Sequence, residues 1–194
     1  MKKYNLLIIS TLFIFDACHR APHFTVEGTI AAAGGDTLYL EQVTDSAVKT
    51  LDYKLLSNDG DFTFKAEQPV FPEFYRLRIG TESILFAVDS CETIAINGQK
   101  NKFATNYTVT SSVNSERIQQ LRNSGFALQK AVNTARANNT WNNDEITALI
   151  EQHKTSARQI IMADTRSTAA YYAINQMVNG IQLFQVGNRL DRSY

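Results

Sequence analysis

The sequence predicts an α+β protein, an N-terminal antiparallel β-sandwich or small barrel followed by a three-helix segment. Three observations predict it. From Phe24 to Ile96, apolar residues recur at every second position in short runs. Those runs are separated by turn-forming clusters of glycine, asparagine, aspartate and proline. From Asn114 onward the apolar spacing changes to three and four, the repeat of an amphipathic helix.

The chain starts with Lys2 and Lys3, then an apolar run from Leu6 to Phe15. As a helix, that run would reach only about half of a ~30 Å hydrocarbon core, which fits a signal peptide over residues 1–17 better than a membrane span. The run ends in Phe15-Asp16-Ala17-Cys18, a small residue directly before a cysteine, as in a bacterial lipobox. Phe15 stands where an aliphatic residue is usual, and Asp16 where a small one is. Cys18 is therefore the expected lipid attachment site, and residues 18–23 form a polar tether. Several acyl chains anchor stably where one does not, a physical reason to place a cysteine here. The alternative is an uncleaved signal anchor with an unmodified Cys18. His19 and His23 flank Pro22, so no helix brings them together as a metal pair. With no aspartate after Cys18 and no acidic cluster behind it, the expected location is the periplasmic face of the outer membrane.

The β domain is placed at residues 24–110. In FTVEGTI, Phe24, Val26 and Ile30 share one face, and Gly34-Gly35-Asp36 then turns the chain toward Leu38 and Leu40. The next run, Val48 to Leu56, is expected to point Leu51, Tyr53 and Leu55 inward. Asn58-Asp59-Gly60 reads as a hairpin turn, and the returning strand should bury Phe62, Phe64 and Ala66. Pro69 and Pro72 interrupt the pattern. Tyr75, Leu77 and Ile79 follow, then a Gly80-Thr81 turn, Ile84, Phe86 and Val88, a turn through Asp89-Ser90-Cys91, and Ile94 with Ile96. YTVT at Tyr107 to Thr110 is the last expected strand.

Residues 111–194 form the helical region. A first helix is read from the seam Ile118, Leu121, Gly125, Leu128, Val132 and Ala135, capped by Asn114 or Ser115. A second starts at the N-cap Asn142, with Glu145 three residues on, and carries Ile146, Leu149, Ile150, His153, Ala157, Ile160 and Ile161 on one face. The third, from about Thr168 through Phe184, is apolar nearly all round and asks for burial on every side.

Composition excludes several functions. Lys plus Arg equal 19 and Asp plus Glu equal 19, with no basic run, so no nucleic-acid partner is expected. Cys18 and Cys91 are the two cysteines, and neither a Cys-x-x-Cys pair nor a cysteine zinc site exists. His153 lies on an apolar stripe and reads as a core histidine, which leaves no Ser-His-Asp set to assemble. Arg76 and Arg78 are either an anion-binding pair or the solvated side of a sheet. Cys91 reads as a small residue near a strand start. Asp36-Thr37-Leu38 and Asp45-Ser46-Ala47 have the Asp-Ser/Thr-aliphatic form of an O-glycosylation signal, but three-residue patterns are common by chance and they read as ordinary strand-edge and turn residues. No catalytic residue, cofactor or metal ligand is expected.

The phrases FTVEGTI, GDTLYLEQV, LDYKLLSNDGDFTFKA and FYRLRI, with the region Ser167 to Ile174, resemble the N-terminal β domain and helical linker of thioredoxin-like lipoproteins of anaerobic Gram-negative bacteria. The resemblance implies a thioredoxin-fold domain after the linker, with a Cys-x-x-Cys pair for thiol–disulfide exchange. No residue here matches that pair, and the sequence stops at Tyr194, before such a domain. The expected function is thus a membrane-anchored, non-catalytic accessory part of a thiol–disulfide exchange system. Its expected partners are the membrane, through the lipid, and a thioredoxin-fold protein. The alternative is an independent periplasmic module binding a peptide or glycan.

Overall fold

The computed structural model describes residues 22–44, 46–140, 142–178 and 181–184. The expected signal peptide at 1–17, the expected lipid site Cys18, most of the expected tether, Asp45, Trp141, Asn179, Gly180 and residues 185–194 lie outside them.

Eight strands follow in order: β1 (His23–Ala31), β2 (Thr37–Val43), β3 (Val48–Leu55), β4 (Asp61–Glu67), β5 (Glu73–Ile79), β6 (Glu82–Val88), β7 (Thr93–Gln99) and β8 (Tyr107–Thr110). They form two four-stranded sheets, ordered β4-β1-β7-β8 and β3-β2-β5-β6. Pairing is antiparallel except between β1 and β7, which run parallel. The inward residues of both sheets merge into one core containing Phe24, Leu38, Leu40, Phe64, Leu77, Phe86, Ile94 and Ile96, all at most 1% exposed. Ala66 is half-buried against it.

The Asn58-Asp59-Gly60 turn is present, but it does not join two strands of one sheet. β2 pairs with β3, whereas β1 pairs with β4. β1 to β4 are therefore the arms of one long hairpin, closed by the Thr44 N–H to Ala47 O bond and folded over at 32–36 and 56–60, so that each arm contributes a strand to each sheet. The fold-over is hydrogen-bonded across its arms. Gly35 N–H donates to Leu56 O at 2.9 Å, Leu56 N–H to Asp36 O at 2.9 Å, and Ile30 N–H to Gly60 O at 2.9 Å. Gly60 has φ +76°, and a Cβ there would lie 2.1 Å from Ile30 O.

On β3 the expected inward set is overturned in part. Register shifts at Leu40/Glu41, whose partners are Asp52 and Thr50, so Leu51 is the extra residue of a bulge. The bulge reverses the alternation. Leu51 packs partly on the core, while Tyr53 (68% exposed) and Leu55 (66%) lie on the outer face.

Three helices follow: α1 (Val113–Ala137), α2 (Asn143–Ala163) and α3 (Thr168–Ile174). The N-cap of α1 is Ser112, not Asn114 or Ser115. Ser115 is instead wholly buried, its hydroxyl accepting from Ala87 N–H at 3.1 Å and donating to Ala87 O at 2.8 Å. Asn142 caps α2 as expected, accepting from the amides of Asp144 and Glu145. The third helix is shorter than its apolar run. It ends at Ile174, and a small hairpin of β9 (Met177–Val178) and β10 (Ile181–Gln182) follows. Asn175 and Gln176 turn their side-chain amides back onto Tyr171 O and Tyr172 O, which ends the turn. Burial for α3 comes from within the chain. Ala169 and Ala173 join Ala87, Ile118, Leu121, Ala157 and Ile160 in a second cluster on the outer face of the β3-β2-β5-β6 sheet, with Phe74 and Leu85 packed against it.

Gly60→Ala should lower unfolding free energy by about 2 kcal/mol or more, from positive φ and the clash with Ile30 O. Urea unfolding of the variant would show it as a shifted midpoint.

Candidate functional site

The outer face of the β3-β2-β5-β6 sheet is roofed by helices over β6 and open over β3. Leu38 and Leu40 point inward, so Tyr39 and Glu41 point outward. Tyr75, Leu77 and Ile79 do the same for Arg76 and Arg78 on β5. Antiparallel register then sets Tyr39 opposite Arg78 and Glu41 opposite Arg76. Arg76 Nε reaches Glu41 Oε2 at 2.6 Å, and Arg78 Nε and Nη2 reach Glu41 Oε1 at 2.8 Å. Thr50 Oγ1 donates to the same Oε1 at 3.4 Å. Arg78 also donates to Gly80 O at 3.1 Å and lies 4.1 Å from the Tyr39 ring centroid. Tyr39 and Tyr53 are 6.2 Å apart.

Glu41 is 3% exposed. Burial alone would raise its pKa, but the hydrogen bonds and charges of Arg78 and Arg76 outweigh it and hold the carboxyl below its usual range. The anion that the arginine pair binds is thus the chain's own carboxylate. Two guanidiniums on one carboxylate leave an excess positive charge beside Tyr39. The period-two pattern predicts that Arg76 and Arg78 share a face; Glu41, 35 residues earlier, becomes their partner only through strand pairing.

A second locus is a cleft of about 260 Å³ between α1, α2 and the segment after α3, lined in part by Arg122, Phe126, His153, Tyr172, Gln176 and Met177. His153 is 2% exposed, as its apolar stripe predicts. Its Nδ1 lies 2.6 Å from Ser124 Oγ, and the Ser124 hydroxyl donates to Leu121 O at 2.9 Å. That direction assigns the imidazole proton to Nδ1, donating to Ser124, and leaves the lone pair on Nε2. Burial lowers the His153 pKa and keeps the ring neutral near pH 7. Arg122 donates to Ser83 O at 3.3 Å and lies 5.3 Å from the Phe126 ring. Its Nε and the neighbouring Tyr107 hydroxyl are buried without hydrogen-bond partners, and no carboxylate pairs with Arg122 among the described residues. Burial raises the Tyr107 pKa, with the Arg122 charge opposing it. Sequence reasoning passed over Arg122, because nothing in the local pattern separates it from the other helix-surface arginines.

The remaining candidates are scattered. Cys91 is exposed, its thiol donating to Gln68 Oε1 at 2.9 Å. Asp36 sits at the fold-over in an ion pair with Lys100 at 2.6 Å. His23 is an exposed residue at the start of β1. Among the described residues no group of three or more His, Cys, Asp and Glu could hold a metal ion, and no helix is long and apolar enough to cross a membrane.

Residues 24–118 match the family described as "Domain of unknown function (DUF4369)". No curated protein matches the chain. Among solved structures, an (S)-allantoin synthase is similar over 46% of this chain and 44% of its own, at 7% identity and a TM-score of 0.33. A likeness that low carries no argument, and the chain spans less than half of that protein.

Glu41→Gln leaves two guanidiniums without their carboxylate and should cost roughly 1–3 kcal/mol, measurable by urea unfolding. In the parent, the Glu41 contribution is complete above pH about 4.5 and is lost as pH falls below that value, because the folded-state pKa is the lower one. His153 is depressed too, so the unfolded chain binds its proton first and stability declines as pH drops below about 6.5. A His153→Gln variant should lack that decline in thermal melts taken between pH 7.5 and 5.5.

Proposed function

We propose, with the matched domain at residues 24–118 as premise, that this protein is a membrane-anchored lipoprotein of the cell envelope. It is a non-catalytic accessory module that positions a thioredoxin-fold partner for thiol–disulfide exchange. The observation that carries the reading is the N-terminal order of a basic start, a short apolar run from Leu6 to Phe15, and Ala17-Cys18, followed within five residues by the first strand. The link to thiol exchange rests on the resemblance of the strand phrases and of Ser167 to Ile174. The domain contributes the tether and a rigid body, and the cysteine pair belongs to the partner.

A second reading, a binding module for a peptide or glycan, is favoured by one observation. Arg122 sits in a cleft that sets polar side chains (Gln129, His153, Gln176) beside apolar ones (Phe126, Leu128, Val132), and it has no carboxylate partner among the described residues.

Labelling of cells with a radioactive fatty acid should mark the parent protein and not Cys18→Ala, and the variant should leave the membrane fraction. Equal labelling of both proteins would sink the lipoprotein reading. Retention on immobilised peptides or glycans that Arg122→Met abolishes would favour the second reading over the first.

A further inference from the structure

We infer that the loop Pro69-Val70-Phe71-Pro72 is a second, non-covalent membrane contact, an apolar tip that enters the lipid interface beside the anchor. The inference rests on the lipidation of Cys18 proposed above.

Val70 is 89% exposed and Phe71 74%. They are the only two consecutive large apolar residues both left exposed among the described residues. Prolines on either side restrict the backbone, so the tip is presented by a stiffened loop. From Gln68 to Pro72 there is no charged side chain, and entering the interface therefore drags no charge out of water. Exposed Glu67 and Lys65 behind the loop oppose one another in sign, so apolar burial, rather than attraction to anionic headgroups, supplies the contact.

Position identifies the occupant. Gln68 N–H donates to Pro22 O at 2.8 Å, which joins the base of this loop to the point where the tether enters the fold. Pro22 is four residues from Cys18, a reach of at most about 14 Å for extended chain. Val70 and Phe71 follow Gln68 by two and three residues. Acyl chains on Cys18 and the apolar tip thus leave the domain at the same end, and a bilayer that takes the first lies within reach of the second. Two attachment points also restrict tilting, which a single flexible tether does not.

The test couples the anchor chemically. The chain from Cys18 to Tyr194, carrying Cys91→Ser, Trp141→Phe and Phe71→Trp, is joined through the Cys18 thiol to maleimide-phosphatidylethanolamine in phosphatidylcholine vesicles. Replacing the phosphatidylcholine with its brominated form should quench the indole at position 71 by about half and leave a Leu55→Trp control little changed. Adding Val70→Asp should reduce the quenching at least twofold. Emission at position 71 that stays that of a water-exposed indole, or equal quenching at position 55, overturns the inference. Because the anchor is attached chemically, the outcome does not depend on acylation in cells, which the fatty-acid labelling reads separately.

Discussion

Ser115 hydrogen-bonds both backbone groups of Ala87, and the rest of the structure depends on what that contact does. β6 and β8 are edge strands of the two sheets, and an uncovered edge leaves backbone donors and acceptors ready to pair with another chain. One helix, α1, seals both. Ser115 satisfies Ala87 on β6, and Arg122 reaches Ser83 O on the same strand. The Gln119 side chain accepts from Val109 N–H at 3.1 Å and donates to Tyr107 O, both on β8. The first half of α1 is thereby held along the seam of the sandwich, and its second half projects beyond the sheets onto α2. The cleft around Arg122 and His153 forms where it does for that reason.

The opposite side of the sandwich is closed differently. The long hairpin of β1 to β4 folds over, so β3 and β4 are consecutive arms at the two remaining edges. The close approach of Gly60 to Ile30 makes the fold-over possible. The bulge at Leu51 and the exposed charges of Lys49, Asp52 and Lys54 keep the β3 edge from pairing outward. Beyond β4 the chain meets Pro22, which places the start of the domain and the 69–72 loop at one end.

The polar groups inside this frame mostly serve one another. Glu41 pairs with two arginines at once, and His153 and Ser124 join α2 to α1. Arg122 departs from that pattern, since burial of its Nε without an acceptor costs free energy that a ligand acceptor would recover.

Much of this was legible in the sequence. Alternation assigns the buried face of most strands, because period two is a local property of the backbone. The change to helical spacing places α1 and α2 within a residue or two, and Asn142 is readable as a cap because its partners are two and three residues away. His153 is readable as buried from its stripe. Tertiary structure decided the remainder. The turn at Asp59-Gly60 belongs to a fold-over between sheets, since which strand pairs with which depends on residues tens of positions apart. Tyr53 and Leu55 face outward because a bulge in the β2–β3 pairing shifts the phase. The apolar run after Thr168 divides into a short helix and a hairpin, with Asn175 and Gln176 turning their side-chain amides back onto Tyr171 O and Tyr172 O. The Glu41–Arg76–Arg78 cluster exists only once β2 lies antiparallel to β5. Local alternation determines which way most side chains point from their own strand; strand pairing determines what they meet and, past a bulge such as that at Leu51, which way they point.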